Sequence, residues 1–149
     1  MFFKSTMNYV RTTQTPMLKY YKNKYINISC YIIYMNYTKS YTLNERRAEA
    51  LRVKQKYSDR LPIICDKHHT CNKLNNIDRI KFLVPKDLTI GQFMFVIRRR
   101  LKLQQDVAIY FIINGFIPKT SELIKTLYED NMNEDYFLYI HYTSENVFG

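Results

Sequence analysis

Residues 80–101 read IKFLVPKDLTIGQFMFVIRRRL. The first five, Ile80 to Val84, form an apolar run of strand length that Pro85 stops. Asp87-Leu88-Thr89 follows, and Thr89 is placed to cap a helix running through Arg100. Within that helix Phe93, Val96, Ile97 and Leu101 recur at i, i+3, i+4 and i+8. Such a stripe is stable only when a sheet or another helix covers it.

The remaining elements arrange around this strand–helix unit. Upstream, Asn44 can cap a helix through Tyr57, with Ala48, Leu51 and Lys54/Gln55 at helical spacing, and Asp59 and Pro62 end it. Residues 61–66 (LPIICD) read as a first strand and residues 68–78 as a polar loop. Downstream, residues 108–113 (AIYFII) are apolar throughout, which predicts a central strand, and Asn114-Gly115 makes the turn after it. Ser121 can cap a shorter helix through Tyr128. The last strand, 137–142 (FLYIHY), alternates Phe137, Tyr139 and His141 against Leu138, Ile140 and Tyr142. The order is a helix and then β-β-α-β-α-β. This is an α+β chain: a four-stranded mixed sheet crossed by a helix, the β-grasp arrangement of ubiquitin-like folds, with an extra N-terminal helical segment.

Composition narrows the function. Of the 149 residues, 46% are hydrophobic and 24% charged, enough apolar material for one packed domain. No run approaches the ~20 apolar residues of a membrane span. Gly91, Gly115 and Gly149 are the whole glycine content, which excludes glycine-rich nucleotide loops. Three cysteines, Cys30, Cys65 and Cys71, make a poor disulfide framework and fit a reducing compartment. The net charge of +10 is uneven: residues 1–41 hold six of the 23 basic residues and none of the 13 acidic ones. The same stretch holds eight of the fourteen tyrosines. Residues 1–41 therefore read as a basic, Tyr-rich extension, whether a transit peptide, an unfolded segment or an upstream frame translated ahead of Met35, and residues 42–149 as the domain.

Several spaced segments together carry a resemblance. They are ERRAE (45–49), KYSDRLP (56–62), Ile77-Asp78, KFLVPKDLTIGQF (81–93), VIRRR (96–100), Asn114-Gly115, Pro118, EDYFLY (134–139) and SENVFG (144–149). In that order they resemble the autophagy-related protein eight family, the ubiquitin-like modifiers that include GABARAP. The DYFLY stretch is closer to the GABARAP side. The loop 68–76 is about one residue longer than is usual and lacks the common acidic residues.

The resemblance implies a non-enzymatic modifier conjugated through Gly149 to phosphatidylethanolamine. It implies no cofactor beyond that covalent lipid. Since Gly149 is the last residue, conjugation is expected to need no priming cleavage. A groove for an extended aromatic-x-x-aliphatic motif is implied beside the second strand. Residue by residue, its aromatic pocket maps to Glu49, Val53, Pro62, Ile64, Lys81, Leu83 and Phe137. Its aliphatic pocket maps to Phe82, Val84, Pro85, Leu88, Phe93 and Val96. Arg60, Arg79 and Arg100, with Lys81, would favour acidic residues flanking the motif. The implied partners are activating and conjugating enzymes, a delipidating cysteine protease, and receptors bearing the motif, with no nucleic acid. The implied location is cytoplasmic, and membrane-associated when lipidated, on an autophagosome or a plastid-like organelle.

Two other classes follow from the residues themselves. The Tyr-rich basic stretch with Arg98-Arg99-Arg100 would suit a nucleic-acid-binding module. Cys65, His68, His69 and Cys71 hold zinc-type donors within seven residues, which would suit a metal-binding switch, although no second ligand half accompanies them.

Overall fold

A computed structural model of the chain describes residues 37–144. Most of the basic stretch (1–36) and residues 145–149, Gly149 among them, lie outside the described residues. The elements are α1 (Tyr37–Ser40), α2 (Leu43–Lys56), β1 (Arg60–Lys67), β2 (Lys81–Pro85), α3 (Ile90–Arg100), β3 (Tyr110–Ile112), α4 (Ile124–Asn131) and β4 (Leu138–Thr143). One mixed sheet has the order β2-β1-β4-β3. β1 runs antiparallel to β2 and parallel to β4, and β3 pairs antiparallel with β4. The ubiquitin-like α+β arrangement expected from the element order is the one observed.

α3 starts where its local signals put it. The Gln92 N–H donates to Thr89 Oγ1 at 3.2 Å, and the Thr89 N–H donates to Gln92 Oε1 at 2.9 Å. This reciprocal pair satisfies two amides that a helix start leaves orphaned. Ile90, Phe93 and Ile97 are fully buried on one face of the sheet, and the Phe93 ring lies 5.4 Å from Phe82 and 5.6 Å from Phe111. Pleating divides each strand between two clusters. Ile63, Cys65, Phe82, Val84 and Ile140 join the α3 core, while Ile64 and Leu83 join Ala50, Val53, Tyr37 and Phe137 on the other face. Asn114 (φ 46°) and Gly115 (φ 85°) make the expected tight turn, with Ile113 and Phe116 exchanging both backbone hydrogen bonds.

Five expectations are corrected. The α2 cap is Thr42, not Asn44: its hydroxyl accepts the Glu45 N–H and the Glu45 carboxylate accepts the Thr42 N–H. The buried face of α2 carries Ala50 and Val53, whereas Leu51 is 43% exposed. Arg46 and Glu49 share that inner face, and their charges obscure its period. Pro62 does not end the helix but sits inside β1. β3 is an edge strand of three residues rather than a central one. Its apolar sequence reflects burial of Phe111 and Ile112 on opposite faces, not a place in the middle of the sheet. Finally, α4 begins at Ile124 with no side-chain cap; Ser121 plays no part, and the Ile124 N–H donates to the Leu88 carbonyl at 2.8 Å. The loop after β1 is polar in composition, yet Cys71, Leu74 and Ile77 turn into the main core.

Candidate functional site

Among the described residues β2 is an edge strand whose one partner in the sheet is β1, in the register Lys81↔Ile64, Phe82↔Ile63, Leu83↔Pro62 and Val84↔Leu61. Alternation sends Lys81 and Leu83 to the α2 side and Phe82 and Val84 to the α3 side. The residues expected to form the aromatic pocket meet on the α2 side. Val53, Ile64, Leu83 and Phe137 belong to one buried cluster, and Pro62 faces Leu83 across the strand pair. Lys81 Nζ closes on both oxygens of Glu49, at 2.9 and 3.0 Å, with the two side chains 16% and 14% exposed. Burial holds the Lys81 pKa below the usual lysine value, and the Glu49 carboxylate opposes that shift.

The aliphatic set is split by depth. Phe82, Val84 and Phe93 are fully buried, whereas Leu88 and Val96 are partly buried against the same core and Pro85 is half-buried at the end of β2. Only the latter three offer surface to a partner. Among the flanking cations, Arg60 lies 3.8 Å from Asp59, Arg100 donates to Asp78 at 2.5 Å, and Arg79 is half-buried just ahead of β2. Arg98 is not a solvated cation: its guanidinium binds the carbonyls of Val107 and Gln104 and ties down the loop after α3.

Sequence reasoning missed Tyr37 and Tyr41, both within the stretch read as an extension. The Tyr37 ring is 5% exposed and stands edge-on to Phe137 at 5.4 Å. Its hydroxyl donates to the Glu49 carboxylate. Lys81 Nζ lies 4.5 Å from the centre of the Tyr37 ring and 5.1 Å from that of Tyr41, within cation–π range of both. Burial and the neighbouring Glu49 charge raise the Tyr37 pKa, so the phenol stays a donor. The i, i+4 spacing of the two tyrosines was the available signal.

A strut behind the site was also missed. Asp135 is 1% exposed; it accepts from Arg46 Nε at 2.8 Å, the Tyr139 hydroxyl at 2.6 Å and the Phe137 N–H at 3.1 Å. It fixes α2, which supplies Glu49 and Val53, against the segment that supplies Phe137.

The zinc-type residues do not assemble. Cys65 is fully buried in the main core, with burial pushing its thiol pKa well up, and Cys71 Sγ lies 3.8 Å from Ser144 Oγ. Among the described residues no group of three or more His, Cys, Asp or Glu side chains is placed to hold a metal ion. Nor, among them, is any helix long and apolar enough to cross a membrane.

A β-grasp sheet with an added α1–α2 layer over the β2 edge separates this chain from plain ubiquitin, and the family model described as "Autophagy protein Atg8 ubiquitin like" matches residues 45–149. The chain belongs to the Atg8 family. Autophagy-related protein 8 of Neurospora crassa is 49% identical over 105 residues, covering 70% of this chain and 86% of that protein. Autophagy-related protein 8e of Arabidopsis thaliana is also 49% identical over 105 residues, with 70% and 85% covered. The crystal structure of Trypanosoma brucei ATG8 superposes with a TM-score of 0.70 at 38% identity, covering 72% of this chain and 92% of that one. Atg8 membership makes the chain an autophagy-related ubiquitin-like modifier with protein partners in that pathway.

Proposed function

We propose that this Atg8-family chain is conjugated through Gly149 to phosphatidylethanolamine and, held at a membrane by that lipid, recruits proteins with an acidic aromatic-x-x-aliphatic motif. The observation that supports the recruiting half is the place of β2 at the sheet edge, with one set of side chains on each side of it. A peptide laid along β2 adds a strand through main-chain hydrogen bonds. Its aromatic residue turns toward Glu49, Val53, Pro62, Ile64, Lys81, Leu83 and Phe137. Its aliphatic residue turns toward Pro85, Leu88 and Val96, above Phe82, Val84 and Phe93. Arg60, Arg79 and Arg100 attract the acidic flank, each exposed pair contributing about 0–1 kcal/mol.

In the conjugating half the chain is the substrate and not the catalyst. Its terminal carboxylate attacks ATP and releases pyrophosphate, an enzyme thiol displaces AMP to give a thioester, and the lipid amine displaces the thiol to give an amide. Glycine suits this because it puts no side chain beside the reacting carbonyl. A delipidating cysteine protease would reverse the last bond, and the lipidated form would sit on an autophagosome or a plastid-like organelle. Incubation with activating enzyme, conjugating enzyme, ATP and phosphatidylethanolamine liposomes is expected to give a lipidated, faster-migrating band. Deletion of Gly149 should abolish it. A band that persists in the deletion, or is absent from the intact chain with competent enzymes, refutes the proposal.

A further inference from the structure

The aromatic pocket already holds an aromatic ring. Tyr37 touches three of the residues mapped to that pocket: Glu49 through its hydroxyl, Lys81 through its ring face and Phe137 edge-on. It is buried in the same cluster as Val53, Ile64 and Leu83. A partner's aromatic side chain seeking those six residues seeks the volume that Tyr37 fills. We infer that Tyr37 is an intramolecular occupant of the aromatic pocket, which an incoming motif displaces; this rests on the groove reading above.

The architecture makes the occupant removable. α1 is a single turn of four residues, too short to be stable by its own hydrogen bonds, so its position depends on the Tyr37 ring and a few tethers. Other tethers include Arg46 Nη1 to the Thr38 and Tyr41 carbonyls, the Tyr41 ring against that of Tyr37, and Lys81 Nζ over the Tyr41 ring. Water can replace the two carbonyl contacts. α2 does not depend on α1, because Thr42 and Glu45 cap it after α1 has ended. The Lys81–Glu49 pair likewise needs no help from the phenol. Release of Tyr37 therefore opens the pocket and leaves its walls standing. Partner affinity is then lowered by the fraction of molecules that are open, so a pocket occupied nine-tenths of the time binds about tenfold more weakly than an empty one.

The test uses the full chain and a synthetic acidic peptide containing Trp-x-x-Leu, followed by calorimetry. A 3-fluorotyrosine at position 37 is followed in parallel by fluorine NMR. The expected result has four parts. Val96→Ala, on the aliphatic side, weakens the peptide. Tyr37→Ala tightens it on the order of tenfold. Tyr37→Phe, which keeps the ring and loses the bond to Glu49, falls between. Saturating peptide moves the fluorine signal to that of an exposed ring. If the peptide binds and Val96→Ala weakens it, but Tyr37→Ala and Tyr37→Phe fail to tighten it or the fluorine stays buried, the groove reading stands and the occupant is wrong. Absence of binding by both wild type and Tyr37→Ala at millimolar peptide overturns the groove reading and this inference with it.

Discussion

Replacing Asp135 with alanine is expected to cost more stability than any exposed substitution on this chain. Three donors lose their acceptor at once: Arg46 Nε at 2.8 Å, the Tyr139 hydroxyl at 2.6 Å and the Phe137 N–H at 3.1 Å. The Arg46 and Asp135 side chains are 12% and 2% exposed, so the guanidinium left behind is short of water. Removing one partner of a buried ion pair costs about 3–5 kcal/mol. Arg46 keeps its contacts to the Thr38 and Tyr41 carbonyls, which places the expected loss near the lower end, at about 3 kcal/mol. For a domain of about 100 residues that is a fall of roughly 10–20 °C in Tm. Urea denaturation of wild type, Asp135→Ala, Arg46→Met and the double variant measures the loss and its coupling. The coupling should be about 1–3 kcal/mol, since the two side chains touch. A loss below about 1 kcal/mol, or additive single variants, would show that the strut contributes no more than a surface pair.

Two further outcomes follow from burial. Burial pushes the Asp66 carboxyl up to about 6, against the pull of the Lys67 N–H and ammonium. The folded state therefore holds a proton that the unfolded state has released, so this contribution is full below about pH 4 and lost as pH rises through about 6. His141, its register partner, has its pKa lowered by burial and acts in the opposite direction, losing its contribution as pH falls. Comparing Asp66→Asn with wild type isolates the carboxyl: the variant should be about 1–2 kcal/mol more stable at neutral pH, with the gap closing toward pH 4, and a pH-independent difference would refute the assignment. Phe82→Ala should cost about 3–5 kcal/mol of folding stability, whereas Leu88→Ala should cost much less and weaken an aromatic-x-x-aliphatic peptide; calorimetry beside thermal melts separates the two, and equal melting losses would contradict the depth at which each lies.

What the sequence showed most clearly was local. Thr89, Gln92 and the Phe93–Ile97–Leu101 stripe lie within one helix and agree with one another, so α3 is readable from end to end. Asn114-Gly115 is readable for the same reason, as two residues that tolerate a positive φ. The misread features depend on partners far along the chain. α4 starts with the Ile124 N–H donating to the Leu88 carbonyl, and no cap residue announces it. β3 is apolar because both its faces are covered, and apolar content cannot say which strand lies beside it. The inner face of α2 carries Arg46 and Glu49, whose partners Asp135 and Lys81 lie elsewhere in the sequence. At the candidate site, the residues along β2 came from the family resemblance together with strand alternation. Tyr37 and Tyr41 escaped both, because a tyrosine-rich, acid-free context hides two tyrosines that carry specific contacts.

The parallel pairing of β1 with β4 has a consequence for how the chain is made. Ile63 meets Leu138 and Lys67 meets Tyr142, so the centre of the sheet joins one of the first strands synthesised to the last. Until residues 138–143 leave the ribosome, β1 has only β2 beside it, and a two-stranded hairpin is marginal in water. Phe82, Phe93 and Phe111 are all made before the strand that completes their cover. The sheet therefore cannot close until residues 138–143 have emerged, and each nascent copy passes through an interval in which that apolar surface is open to chaperones.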